Sequence, residues 1–231
     1  MQEVIFNGTA GKIEGKFHAS KDIYAPVALV LHPHPAYGGT MNNKVVYKIF
    51  HTFVANNFSV LRFNFRGVGR SQGVFDNGVG ELLDAASALD WLQAHATGAS
   101  CWVAGFSFGA WIGMQLLMRR PELHYFISVS PPAHSQDFSF LSPCPTPGII
   151  VQGTKDEVVS EKSVFSLYEK IDKQKNSDVE YAAITDADHF FTNHMNELEK
   201  ELDDYIKEKA NIPIEVLNLK KTRKNHTGVP N

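Results

Sequence analysis

Apolar and polar positions along the chain switch repeatedly between a strand-like and a helix-like period. Val4–Phe6 and Lys12–Phe17 alternate as two short strands, with Asn7-Gly8 between them as a turn pair that favours an antiparallel hairpin. Pro26–Leu31 is then continuously apolar, as expected of a strand buried on both faces. Met41–Asn56 carries Val45, Ile49, Phe50, Phe53 and Val54 at helical spacing, and Ser59–Phe65 returns to strand character. Glu81–His95 predicts an amphipathic helix with Leu82, Ala85, Leu89 and Leu92 on one face, and Glu81 and Asp84 in the first turn, where the helix dipole favours acids.

The second half repeats the scheme. His124–Ser130, Gly148–Val151 and Val179–Ile184 predict strands, and Ser160–Ile171 and Asn193–Lys209 predict helices. Strands alternating with helices imply an α/β domain with a mostly parallel central sheet covered on both faces. Residues 1–210 are expected to form that domain. Residues 211–231 are expected to form a tail, apolar at Ile214, Val216, Leu217 and Leu219 and packed as an edge segment, then basic and loose from Lys220. Pro132–Pro147 has neither period and is too short for a separate lid domain, although Phe138, Phe140 and Leu141 could fold over a site.

Between the predicted strand Cys101–Val103 and an apolar stripe of Trp111, Ile112, Leu116 and Leu117 stands Gly105-Phe106-Ser107-Phe108-Gly109. A strand, a sharp turn carrying a serine and a helix make a nucleophile elbow. The turn strains the serine backbone by about 1–3 kcal/mol, and glycines on either side relieve the crowding between strand and helix. The helix begins at the serine, so its unpaired N–H groups and positive dipole end face the reacting centre.

A serine hydroxyl needs a base, and the base needs an orienting acid. In this layout the order is serine, acid, histidine, each just beyond a strand. Asp156 follows the strand Gly148–Gly153 and is the natural acid, with Glu157 as competitor and a helix N-cap as its bland role. His189 follows the last strand, in Asp188-His189-Phe190-Phe191, whereas His194 falls inside the helix pattern and is expected to point elsewhere. An oxyanion also needs two N–H donors, each worth about 3–4 kcal/mol of barrier. Phe108 supplies one. The other is expected from the loop His32-Pro33-His34-Pro35-Ala36-Tyr37-Gly38-Gly39, where the prolines have no N–H; His34 is the first choice, ahead of Ala36 or Tyr37.

Two other readings carry less weight. His32 and His34 could bind a metal with Asp186 or Asp188, but zinc-type spacings are missing, so no metal is expected. Asn64-Phe65-Arg66-Gly67-Val68-Gly69-Arg70-Ser71 is Gly-rich and basic yet fits no phosphate-binding fingerprint. Gly67 and Gly69 instead suit a sharp loop at the edge of the site, with Arg66 as a structural hydrogen-bond donor.

The His-Pro-His-Pro-Ala-Tyr-Gly-Gly-Thr loop, Phe65-Arg66-Gly67-Val68-Gly69-Arg70-Ser71, the serine elbow and Asp188-His189-Phe190-Phe191 together resemble the α/β-hydrolase superfamily. They are similar to small bacterial lidless serine hydrolases of the carboxylesterase or dienelactone-hydrolase-like type. The likeness spans roughly residues 3–209. It implies an α/β-hydrolase fold, a Ser107–Asp156–His189 triad and no cofactor. Dienelactone hydrolases proper carry a cysteine nucleophile where this chain has Ser107, so lactone specificity does not transfer.

Composition removes whole classes of function. At 231 residues, 43% hydrophobic and 20% charged, the chain suits one large core. A net charge of −3 gives no footprint for nucleic acid or an anionic membrane. No apolar run reaches the ~18 residues of a membrane span, and no secretory signal is expected from Met1-Gln2-Glu3-Val4-Ile5. Cys101 and Cys144 read as isolated buried or loop residues, so a cytoplasmic setting is expected. The expected activity is hydrolysis of small carboxylic esters through an acyl-enzyme on Ser107, with a small-molecule ester as substrate and no oligomeric state implied. A thioesterase or peptidase with the same residues, or a non-catalytic binding protein on this scaffold, are the rivals.

Overall fold

The computed structural model of the chain describes residues 1–96 and 100–210. In chain order its elements are β1 (Gln2–Gly8), β2 (Gly11–His18), β3 (Val27–Leu31), α1 (Lys44–Ala55), β4 (Ser59–Phe63), α2 (Val79–His95), β5 (Cys101–Phe106), α3 (Phe108–Leu117), β6 (Leu123–Val129), β7 (Gly148–Gly153), α4 (Glu161–Asp172), β8 (Val179–Ile184) and α5 (Met195–Ala210). The strands form one sheet in the order β1-β2-β4-β3-β5-β6-β7-β8. β1 and β2 pair antiparallel, as do β2 and β4, and every later pairing is parallel. The expected tail falls outside the described residues.

Strand periodicity divides the core in two. In β3, Val27, Leu29 and Leu31 point to the face covered by α2, α3 and α4, and Ala28 and Val30 to the face covered by α1 and α5. All five are buried, which explains the unbroken apolar run. Each such valine or leucine contributes about 1.5–3 kcal/mol relative to exposure. The α2 stripe of Leu82, Ala85, Leu89 and Leu92 enters the first cluster; Val45, Ile49, Phe50 and Phe53 of α1 enter the second.

Several boundaries differ from the periodicity, each for a local reason. The hairpin turn is Thr9-Ala10, not Asn7-Gly8, because pairing continues through Asn7↔Lys12 to Gly8↔Gly11 and Asn7 Oδ1 accepts from Lys12 Nζ at 2.6 Å. α1 starts at Lys44 because the Asn43 side chain caps it, accepting from Val45 N–H at 2.9 Å. β4 stops at Phe63 because the next polar groups turn elsewhere. Asn64 Nδ2 donates to Glu14 Oε1 at 2.7 Å, and Phe65 N–H donates to His32 Nε2 at 3.0 Å. His194 lies just before α5, not within it.

The segment 132–147 is tied down against the helices. Trp111 Nε1 of α3 donates to Asp137 O at 3.1 Å, Gln174 bonds both Leu141 O and Cys144 N–H, and Phe138 and Leu141 are buried in the core cluster.

The loop after β4 turns through positive φ at Gly67 (74°) and Gly69 (58°). Arg66 holds it. Its backbone N–H and Nε both bond Asp84 Oδ2, at 3.0 and 2.9 Å, and its Nη2 bonds Asp84 Oδ1 and Thr9 Oγ1, each at 2.8 Å. Asp84, expected only to complement the α2 dipole, is thus the buried partner of a two-pronged ion pair. Asp84→Ala leaves a buried guanidinium with only Asp76 at 4.0 Å and the Thr9 hydroxyl, and is expected to lower unfolding free energy by about 3 kcal/mol in chemical denaturation. A loss below about 1 kcal/mol would mean the pair does not hold the loop.

Candidate active site

At the carboxyl end of β5 the chain passes directly into α3 through Ser107, whose φ of 53° and ψ of −119° lie where side-chain-bearing residues are strained. Two glycines permit the turn. A Cβ on Gly105 would stand 2.3 Å from Gly109 O, and a Cβ on Gly109 would stand 2.4 Å from Leu31 O and 2.6 Å from His32 O. Ser107 N–H donates to Val129 O at 2.8 Å, fixing the turn to β6. The hydroxyl is left half-buried at the sheet rim.

Asp156 lies in the turn after β7, 7% exposed, while Glu157 is exposed. The Asp156 carboxylate accepts four hydrogen bonds. Oδ1 takes Val158 N–H at 2.9 Å and Val159 N–H at 2.7 Å; Oδ2 takes Gln152 Nε2 at 3.0 Å and His189 Nδ1 at 2.7 Å. Burial pushes the carboxyl upward, but the bonds from His189, Val159 and Gln152, with the neighbouring imidazole, outweigh it and hold the group below its usual range. α4 is capped by Ser160, which accepts from Ser163 N–H, so Asp156 is not that helix's N-cap.

His189 sits in the loop after β8, with its ring 5.0 Å from that of Phe106, the residue before the serine, and 5.1 Å from Phe190. The acid and histidine loops are stapled together. Thr154 N–H donates to Ile184 O and Lys155 N–H to Ala187 O, each at 3.0 Å, and Lys155 pairs with Asp186 at 2.9 Å. Asp156 and His189 are therefore joined. The serine hydroxyl makes no hydrogen bond among the described residues, so its contact with His189 Nε2 is open; such bonds commonly close only with substrate bound.

The two residues whose amides are expected to face an oxyanion are neighbours through their side chains. Phe108 is the first residue of α3, so its N–H has no partner within the helix. In the other loop, Pro35–Tyr37 forms a short 3₁₀ turn. Ala36 N–H donates to His34 Nδ1 at 3.2 Å and Tyr37 N–H to His34 O at 3.1 Å. The His34 N–H has no partner among the described residues. The rings of His34 and Phe108 are 4.9 Å apart, bringing the residues that bear the two amides into contact. Burial also lowers the His34 imidazole, against the opposing charge of Glu81.

His32 takes a role that no spacing announced. It is fully buried; its Nδ1 donates to Pro33 O at 2.7 Å while its Nε2 accepts from Phe65 N–H. Burial pulls it down to about 4, so it is neutral and links the oxyanion loop to the end of β4. Both ring nitrogens are committed, and among the described residues no three His, Cys, Asp or Glu side chains gather as a metal site. No helix of the described residues is long and apolar enough to cross a membrane.

A family model for X-Pro dipeptidyl-peptidases (S15 family) matches residues 20–141, just over half of the chain. ATU1826 of Agrobacterium tumefaciens, a protein of unknown function, is similar at 54% identity, with 91% of this chain and 97% of that one covered and a TM-score of 0.88. An alpha-beta serine hydrolase homologue from Coxiella burnetii is 37% identical, covering 89% and 97% at a TM-score of 0.81. XC6422 from Xanthomonas campestris, an α/β serine hydrolase without lid, is 30% identical over 90% and 94%, also at 0.81. The chain belongs to the α/β-hydrolase superfamily. As an α/β hydrolase it has, among the described residues, an eight-stranded, mostly parallel sheet and no lid domain. The S15 match includes Ser107 and the His34 loop but stops before Asp156 and His189.

Two outcomes follow for this hydrolase. Gly109→Ala forces a Cβ against two backbone carbonyls, so it is expected to abolish soluble folded protein or shift the elbow, as read by circular dichroism and thermal melting; an unchanged melt would contradict the close approach. His32 is neutral when folded, and its ordinary value is 6.5. The unfolded chain therefore binds the proton first, and stability falls as pH drops from about 6.5 to about 4. His32→Gln should remove that part of the acid loss, seen as a flatter unfolding free energy between those pH values; an unchanged slope would contradict a neutral His32.

Proposed function

We propose that this hydrolase cleaves small carboxylic esters through an acyl-enzyme on Ser107. The observation that carries the reading is the 2.7 Å bond from His189 Nδ1 to the buried Asp156 carboxylate, in loops stapled together at the same sheet rim as the strained serine. In the proposed course His189 Nε2 takes the Ser107 proton as Oγ attacks the ester carbonyl. Asp156 keeps Nδ1 protonated and steadies the imidazolium. The amides of Phe108 and His34 receive the charge developing on the carbonyl oxygen, and His189 returns the proton to the departing alcohol. Water then attacks the acyl-enzyme by the same route. The short tethered segment 132–147 suits an open site and short acyl chains.

The S15 match favours a second reading, hydrolysis of an aminoacyl or peptidyl amide by the same residues. The two part on the leaving group, since an amine must be protonated as it departs.

A p-nitrophenyl ester series of rising acyl length, run beside an acyl-CoA and an aminoacyl-prolyl amide, tests this. Short esters are expected to be the best substrates; an amide turned over far faster would transfer the assignment to peptidase. A fluorophosphonate should label Ser107. Ser107→Ala should abolish labelling and lower kcat by roughly 10⁴–10⁶-fold, with His189→Ala similar and Asp156→Asn milder. A silent Asp156→Asn beside a crippled Glu157→Gln would reassign the acid.

A further inference from the structure

Gln152 is the fifth residue of β7, completely buried and four positions before Asp156. Its Nε2 faces three acceptors: Asp156 Oδ2 at 3.0 Å, Val159 O at 2.9 Å and Gly153 O at 3.3 Å. A carboxylate and two carbonyls around one atom fix that atom as the nitrogen, because only the NH₂ side of the amide can donate. The other side is left without reward. Gln152 Oε1 is buried with no hydrogen-bond partner among the described residues, an arrangement that ordinarily costs about 1–3 kcal/mol. An apolar side chain of the same length would avoid that cost. What it could not do is donate to Val159 O and to the oxygen of Asp156 that also receives His189 Nδ1.

We infer that Gln152 is a positioning residue for the acid–base pair, setting both the orientation of the Asp156 carboxylate and the charge that its Oδ2 presents to His189. The inference rests on the proposed roles of Asp156 and His189. A donor on Oδ2 draws charge from the oxygen that stabilises the imidazolium in the proposed course, and removing that donor would leave more charge on it. The donor also blocks rotation of the carboxylate away from the Nδ1–H, which the two amides on Oδ1 alone would resist less.

Other charged groups near the pair stay the same when only residue 152 is changed. On the acid loop these are Lys155, paired with Asp186, and exposed Glu157. On the histidine loop they are Asp188, which accepts from Thr192 N–H, and His194, which lies within the field of Asp186 and Asp188. The loop 32–39 contributes His34, buried His32 and Tyr37.

The test is Gln152→Met, which keeps length and removes both the donor and the orphaned oxygen, with Gln152→Glu as a second variant of the same shape. Each is measured for thermal melting, for the pH profile of kcat/KM, and for the downfield proton resonance of His189 Nδ1–H, assigned by its loss in His189→Ala. In Gln152→Met the acidic limb is expected to move up by roughly half a pH unit or more and the resonance to move further downfield, in folded protein whose melt is lowered by loss of the donor to Val159 O. Gln152→Glu, whose buried carboxyl is kept protonated by Asp156 and the two carbonyls, still has an O–H to donate to Oδ2 and should hold the limb nearer its original position. A folded Gln152→Met protein with limb and resonance both unmoved would overturn the inference and leave Gln152 a loop brace. A shifted resonance in protein that hydrolyses no ester would sustain the positioning role while refuting the proposed function.

Discussion

The crossing of β5, β3 and α3 at Ser107 leaves no room for a side-chain carbon on either flank of the serine. Gly105 lies against the carbonyl of Gly109, and Gly109 lies against the carbonyls of Leu31 and His32. That contact dictates much else. It places the first turn of α3 beside the end of β3, so the free amide of Phe108 and the loop that follows His32 become neighbours. It also holds Ser107 in a backbone conformation that a relaxed turn would not adopt, at a cost of about 1–3 kcal/mol met by the packed helix and strand around it. Moving the helix by the width of one methyl group would shift Ser107 and Phe108 together away from the end of β3 and the loop that follows it.

Around this crossing, the loops are held by buried polar groups as much as by apolar packing. Arg66 with Asp84, Glu14 with Asn64 and Arg70, and His32 with Pro33 and Phe65 each join two segments far apart in sequence. The acid and histidine loops are joined by backbone bonds and by Lys155–Asp186. Each group is satisfied by a specific partner, so the loops are held in one arrangement before any substrate arrives. The site depends on such preorganisation, because among the described residues no separate domain closes over it.

Much of this was legible in the chain. The both-face burial of β3, the stripes of α1 and α2, the serine turn and the order serine, acid, histidine follow from periodicity and from what strand ends can present. Position prefers Asp156 over Glu157, and in the fold it is Asp156 that bonds His189 while Glu157 is exposed. The hairpin turn was misplaced because Asn-Gly is a strong local signal, yet the ladder gains two more residue pairs by turning at Thr9-Ala10. Asp84, Gln152 and His32 were illegible in their real roles. Each acts through a partner brought near only by the fold, and nothing in local sequence distinguishes a dipole-pleasing aspartate from one that clamps an arginine 18 residues away. His34 could be preferred from sequence only because prolines flank it; that its rivals Ala36 and Tyr37 are already bonded is a fact of three dimensions.

The proposed chemistry requires one oxygen to meet two amides while its neighbouring atom is bonded to one serine. A crystal structure of the protein after reaction with an alkyl phosphonate tests that requirement, since the adduct mimics the tetrahedral intermediate. Phosphorus should be bonded to Ser107 Oγ, with one phosphonyl oxygen about 2.7–3.1 Å from the nitrogens of both Phe108 and His34 and His189 Nε2 turned toward the Oγ or leaving-group side. A phosphonyl oxygen directed away from both amides, or phosphorus attached elsewhere, would contradict the account.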